Sequence, residues 1–255
     1  VRIRDFRRTL SRAAELLRGS TIPVENYDPD EHGSLITFTG LSDYREVDRY
    51  WVNAPFAFVS VNYDPAANEH LYYVVEPELD ELESELLDKL FADIRQSLIY
   101  RREMGDQPPE GVLKDELREL LEVYGVDVDM ATFYRLFYYL YRAFRGYGKL
   151  DPLMCDPRIE DVSCDGYDLP IFVYHGEYDD VETNVVYGED ELDDLVVRLA
   201  QRSGQHVSVG EPVVEATLPD GSRAELALGR EVTPRGSAFT IRKYADEPFT
   251  PLDLV

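Results

Sequence analysis

The stretch Val213-Val-Glu-Ala-Thr-Leu-Pro-Asp-Gly-Ser-Arg-Ala-Glu-Leu-Ala-Leu228 places two short strand-forming runs on either side of Pro219-Asp220-Gly221. These turn residues pre-set or permit the backbone angles that a chain reversal needs. A third run, 239–244, follows a second turn at Pro234-Arg235-Gly236. The pattern predicts three strands, over 213–218, 223–228 and 239–244. In the last of them, the two-residue period sends Phe239 and Ile241 to one face and Thr240 and Arg242 to the other. Upstream, short strands are expected over 159–164 and 171–174, with a helix over about 189–203. Strands of this kind mixed with a single long helix predict an α+β domain, an antiparallel sheet with helices on one face.

The texture changes near Gly146, and the expected boundary lies near residue 147. The first domain, 1–147, is expected to be helix-rich with a small β-hairpin, and the second spans 148–246. A linker, 247–255, closes the sequence. The hairpin is expected from alternating runs at 57–63 and 71–76. Helices are expected over about 78–102, with Leu79, Leu82, Leu86, Leu90, Ile94 and Leu98 on the apolar face, and over 114–124 and 130–145. The last carries an aromatic stripe of Phe133, Tyr134, Phe137, Tyr138, Tyr141 and Phe144, which reads as core. Residues 1–18 read as an amphipathic helix with six arginines against two acids. Anionic lipid, an acidic partner or the acidic body of its own protein would each suit it.

The whole chain is strongly acidic: 51 Asp plus Glu against 26 Lys plus Arg give a formal charge of -25. Such a surface repels nucleic acid, and its self-repulsion is relieved by concentrated salt, which is the balance of a salt-adapted protein. With 44% hydrophobic residues over 255 positions, the chain can bury one large core or two ordinary ones, so disorder is not the default. Cys155 and Cys164 fall short of a zinc tetrad, and no histidine lies at ligand spacing, so no metal site is expected. The longest apolar run, around 54–61, is too short to cross a bilayer, and no signal peptide is legible, so a soluble intracellular protein is expected. The start at Val1 and the stop in Pro248-Phe-Thr-Pro-Leu252 suggest a piece of something longer.

No nucleotide-hydrolysing motif is present. The single Gly-Lys pair, Gly148-Lys149, has Ala143 where a phosphate loop needs its first glycine and Leu150 where it needs a hydroxyl. Carboxylate pairs such as Glu160/Asp161 and Asp179/Asp180 read as solvated surface in so acidic a chain. Positive charge, by contrast, concentrates at Arg223, Arg230, Arg235, Arg242 and Lys243. Guanidinium forks at such a cluster suit phosphate oxygens, or else pair with the abundant carboxylates of the same chain. The chemistry of the residues alone favours the ion pairs.

Six ordered blocks then carry a resemblance. They are 151–166 (Asp-Pro-Leu-Met-Cys-Asp-Pro-Arg-Ile-Glu-Asp-Val-Ser-Cys-Asp-Gly), 170–175 (Pro-Ile-Phe-Val-Tyr-His), Thr183-Asn184, 199–204 (Leu-Ala-Gln-Arg-Ser-Gly), 218–223 (Leu-Pro-Asp-Gly-Ser-Arg) and 231–243 (Glu-Val-Thr-Pro-Arg-Gly-Ser-Ala-Phe-Thr-Ile-Arg-Lys). From about Gly148 onward the sequence resembles the archaeal branch of the type II/type IV secretion ATPases, which drive pili and archaella; the first half resembles them only loosely.

The resemblance implies a PAS-like second N-terminal domain that sits over a RecA-like motor domain in a hexameric ring. It implies that Arg223 and Arg242 reach the phosphates of ATP held with Mg2+ by the motor, with Arg235 and Lys243 as further candidates for the cofactor. The motor itself would begin after Val255, so this chain alone is expected to be inactive. The implied partners are other subunits of the ring and a polytopic membrane platform protein, with no nucleic acid, at the cytoplasmic face of the cell membrane. The alternative is a stand-alone PAS-like sensor, or an acidic partner-binding scaffold, without an ATP role.

Overall fold

The computed structural model describes residues 27–101 and 110–244, so the basic helix expected over 1–18 and the linker expected over 247–255 lie outside the described residues. The described residues divide into two compact units, one within 27–35 and 78–146, the other within 36–77 and 147–244.

The first unit is helical: α1 (Pro29–His32), α2 (Glu81–Arg101), α3 (Glu110–Tyr124) and α4 (Met130–Phe144). Asp129 caps α4, its carboxylate accepting the Thr132 N–H at 2.7 Å. The aromatic stripe is core for the most part: Phe133, Tyr134, Phe137 and Tyr138 are buried together with Leu136 and Leu140, whereas Tyr141 and Phe144 are half-buried. Helix α4 packs on α2, which buries Leu90 and Ile94, and on α3, which buries Leu113 and Leu117. The inward stripe of α2 differs from the expected one: Leu82 is 76% exposed, whereas Glu83, Leu87, Leu90 and Ile94 are buried. Glu83 turns inward because it has partners there. Thr132 donates to its Oε1 at 2.9 Å and the Arg135 guanidinium pairs with it. Burial pushes the Glu83 carboxyl up, but these hydrogen bonds outweigh it and hold the group below the usual carboxylate range.

The second unit is one nine-stranded sheet in the order β1-β2-β3-β6-β5-β4-β9-β8-β7. The strands are β1 (Arg45–Asn53), β2 (Ala57–Asp64), β3 (Glu69–Val75), β4 (Ile159–Cys164), β5 (Pro170–His175), β6 (Asp179–Val186), β7 (Val213–Thr217), β8 (Arg223–Ala227) and β9 (Ala238–Arg242). Neighbours are antiparallel except β3 and β6, which run parallel. Short α5 (Asp151–Cys155) precedes β4, and α6 (Glu189–Arg202) follows β6. The molecule is thus α+β, with a large and mainly antiparallel sheet. One face of the sheet carries Val162, Ile171, Val173, Val181, Leu226, Phe239 and Ile241, on which α6 lays Leu192, Leu195, Val196 and Leu199.

The hairpin expected in the first domain differs in place: β2 and β3 extend the sheet of the second unit. Two features hold it there. The Asn184 side chain imitates a strand backbone, its Oδ1 accepting the Val74 N–H at 2.7 Å and its Nδ2 donating to the Val74 carbonyl at 2.9 Å. Deeper in, Asp156 is fully buried, and its Oδ2 accepts hydrogen bonds from the hydroxyls of Tyr50 on β1 and Tyr72 on β3, each at 2.7 Å. A buried carboxylate without such donors would cost several kcal/mol, on the order of an unpaired ion. The motif that contains Asp156 therefore needs the hairpin beside it.

Strands β1 and β6 were not among those expected. In β6, Val181, Thr183 and Val185 alternate inward, a legible period masked by the acids between them. In β1 the pattern is too polar to read, because it is an edge strand whose residues are mostly exposed.

Candidate functional site

The open face of β4, β9, β8 and β7 carries the side chains that the core face rejects. Thr240 and Arg242 of β9 point outward while Phe239 and Ile241 are buried. Strand pairing sets Arg242 directly opposite Arg223 of β8 on one side and opposite Asp161 of β4 on the other. Neighbouring strands lie about 4.8 Å apart. One strand separation is thus all that divides the two arginine backbones, although 18 residues intervene between Arg223 and Arg242 in the sequence. The β8–β9 pairing achieves this because Ser222 and Tyr244 join at its end, the Tyr244 N–H donating to Ser222 Oγ at 3.1 Å.

Around the two arginines lies a groove of about 490 Å³ whose lining includes Asp161, Gln205, Glu215, Thr217, Glu225 and Thr240. Asp161 holds Arg242 in a fork: Nε donates to Oδ1 at 3.0 Å and Nη2 to Oδ2 at 3.3 Å. Donating to the Asp161 carboxylate raises the Arg242 pKa further above its ordinary value, so the guanidinium stays charged. Even so, the Arg242 side chain is 77% exposed. Arg223 has no carboxylate within ion-pair distance among the described residues; its cross-strand neighbours are Thr217 and Arg242. Chemically, the face offers two exposed forks, only one of which is engaged among the described residues.

The other basic residues of the cluster lie elsewhere. Lys243 continues β9 on the core side, and its Nζ donates to the backbone oxygens of Leu153, at 3.0 Å, and Asp156. It thereby caps the C-terminal end of α5, and burial pushes its pKa below the ordinary lysine value. Arg235 is exposed in the turn before β9, at the end of that strand away from Arg242, and its carbonyl accepts the Tyr167 N–H at 3.0 Å. Arg230 pairs with Glu189 at 2.9 Å. Of the four residues singled out for phosphate, the fold brings together Arg223 and Arg242 and separates Arg235 and Lys243 from them. Asp161 was dismissed as solvated surface in the sequence. Only strand register reveals it as the partner of Arg242.

Among the described residues no cluster of His, Cys, Asp and Glu could hold a metal ion, both cysteines are free, and no helix is long and apolar enough to cross a membrane.

Comparison with known proteins bears on the chain piecewise. The family model described as PilB3-like, N-terminal, matches residues 4–78, the stretch that ends with β3 and the turn after it. A slight structural likeness, TM-score 0.35 at 24% identity, runs to the VirB11 ATPase of the Brucella suis type IV secretion system, over 41% of this chain and 31% of that one. Two Methanocaldococcus jannaschii proteins, the uncharacterized MJ0781 and MJ0900, are 31% and 36% identical over 189 and 122 residues. These matches cover 73% and 48% of this chain but only 25% and 22% of the two relatives. A third protein of that organism, the uncharacterized MJ1288, is 35% identical over 179 residues, which is 69% of this chain and 71% of MJ1288. The chain belongs to the family of the Methanocaldococcus jannaschii protein MJ1288.

Proposed function

We propose that this chain is the non-motor, N-terminal part of a secretion or pilus-assembly ATPase, and that it presents Arg242 and Arg223 to the phosphates of a nucleotide held by a motor domain. The observation that carries the reading is the match of residues 4–78 to the PilB3-like N-terminal family, joined to the register that sets the two arginines opposite each other. Their rigid strands support the phosphate role. A guanidinium fixed by backbone pairing needs little reorganisation to meet charge that develops on a transferred phosphoryl group. ATP and its Mg2+ would be held mainly by the motor, since this sequence has no phosphate loop. In the same reading the parent protein works as a hexameric ring against a polytopic membrane platform protein at the cytoplasmic face, in an organism of high internal salt.

A second reading, a PAS-like sensor or acidic scaffold with no ATP role, is favoured by one observation. The groove is lined by three carboxylates against two guanidiniums, a balance that by itself does not attract phosphate. The two readings part in one experiment. Steady-state ATP hydrolysis is measured for this chain and for the longest natural protein that contains it. The ATPase reading expects turnover by the longer protein and none by this chain. Hydrolysis by neither supports the scaffold.

A further inference from the structure

We propose that Asp161 is a built-in stand-in for phosphate: it occupies the fork of Arg242 until a phosphate displaces it, and so keeps the arginine stowed. This inference rests on the phosphate role proposed above and adds a regulatory residue to it.

Arg223 and Arg242 face each other on adjacent antiparallel strands, where like charges directly opposite destabilise a sheet. The pair is tolerated because Arg242 is drawn the other way, to β4, by two hydrogen bonds to the two oxygens of one carboxylate. A planar oxyanion on the Nε and Nη2 edge is the geometry in which guanidinium also takes phosphate. The Asp161 carboxylate has no other hydrogen-bond partner among the described residues, so only Arg242 holds that side chain in its position. Arg223 lacks the same satisfaction. An anion spanning both forks would neutralise the facing pair, which the single carboxylate on the far side of Arg242 cannot do. The ion pair is also weak enough to exchange, because the Arg242 side chain is mostly in water. Released from Arg242, the Asp161 carboxylate would simply be solvated. The groove would then present two guanidiniums to one di- or triphosphate.

The test titrates this chain with inorganic pyrophosphate at the lowest KCl concentration at which circular dichroism shows the fold intact. Four proteins are compared: wild type, Asp161→Asn, Glu225→Gln and Arg242→Ala. Glu225 lies in the same groove, opposite Thr240 rather than Arg242, and serves as the control for a mere loss of negative charge. The proposal expects Asp161→Asn to tighten pyrophosphate binding by up to about fivefold, the range an exposed ion pair can contribute. It expects a clearly smaller gain for Glu225→Gln and loss of binding for Arg242→Ala. Equal gains in the two carboxylate variants would show a field effect alone and overturn it. Unchanged binding in Asp161→Asn, with loss in Arg242→Ala, would overturn the stowing role while leaving the phosphate role standing. Binding that ignores Arg242→Ala would overturn both, and no binding by any variant, Asp161→Asn included, would overturn the stowing role.

Discussion

Lys243 follows Arg242 directly in the chain, yet the two side chains serve opposite sides of the sheet: Arg242 meets Asp161 on the open face, and Lys243 meets the carbonyls of Leu153 and Asp156 beneath it. The two-residue period of a strand makes neighbours in sequence strangers in space. A cluster of positive charge in the sequence therefore divides into distinct roles once the strand is placed.

Lys243→Met tests that division. Removing the ammonium takes the lysine donor from the Leu153 carbonyl and leaves the Asp156 carbonyl with the Ile159 N–H alone, which should cost about 1–3 kcal/mol of stability. Denaturant melts of the chain should show it. In the parent protein, turnover per folded molecule should stay near wild type. A loss of turnover with stability intact would place Lys243 at the phosphates after all.

His175 gives a pH dependence. It is fully buried; its Nδ1 accepts the Glu177 N–H at 3.1 Å, which leaves Nε2 to donate to the Tyr50 hydroxyl at 3.0 Å. Tyr50, Tyr72, Asp156 and Tyr178 surround the ring, with Arg158, Asp48 and Glu177 near by. Burial is the main cause that lowers the His175 pKa below 6.5. Above pH 6.5 the imidazole is neutral whether folded or unfolded, and stability is unaffected. Below it the unfolded chain takes up a proton that the folded chain refuses, so stability falls until the lower folded pKa is reached. Melting temperatures between pH 7.5 and 5.5 should drop more in wild type than in His175→Gln. Equal slopes would contradict the assignment.

Gly236 should be intolerant of any side chain. Its φ is +102°, and a Cβ there would overlap the ring of Tyr167. Gly236→Ala should destabilise by about 3 kcal/mol, through strain and clash together. A near-wild-type melt would mean that the turn between β8 and β9 is packed differently.

Much of the fold was legible because its core obeys simple periods. Strand β4 matches its expected bounds, and the strands β5, β7, β8 and β9 and the helices α2, α3, α4 and α6 fall within a few residues of theirs, whereas the short α1 and α5 were not expected. What escaped has physical reasons. An edge strand such as β1 buries too little to enforce alternation, and β3 joins β6 through contacts more than a hundred residues apart, such as Val74 with Asn184. A shared phosphate role for Arg223 and Arg242 was implied by resemblance alone, and their pairing on adjacent strands was not read from the sequence. Asp161 was invisible, because in so acidic a chain only register distinguishes a partner from a bystander.

The excess of carboxylates predicts a steep response to salt. Self-repulsion across the surface is screened over about 10 Å at 0.1 M and about 3 Å at 1 M. The melting temperature should therefore climb strongly from low to molar KCl. A flat profile over that range would argue against salt adaptation.

The central claim concerns Arg242, and steady-state ATPase activity of the parent protein tests it most directly. Arg242→Ala and Arg242→Lys should both lower turnover, on the order of a thousandfold for a phosphate-contacting arginine, because lysine keeps the charge but not the fork. Melting temperatures of both variants should stay close to wild type, since the side chain is mostly in water and its pair with Asp161 is exposed. Wild-type turnover in Arg242→Ala would contradict the account and leave Arg242 as an ordinary surface partner of Asp161.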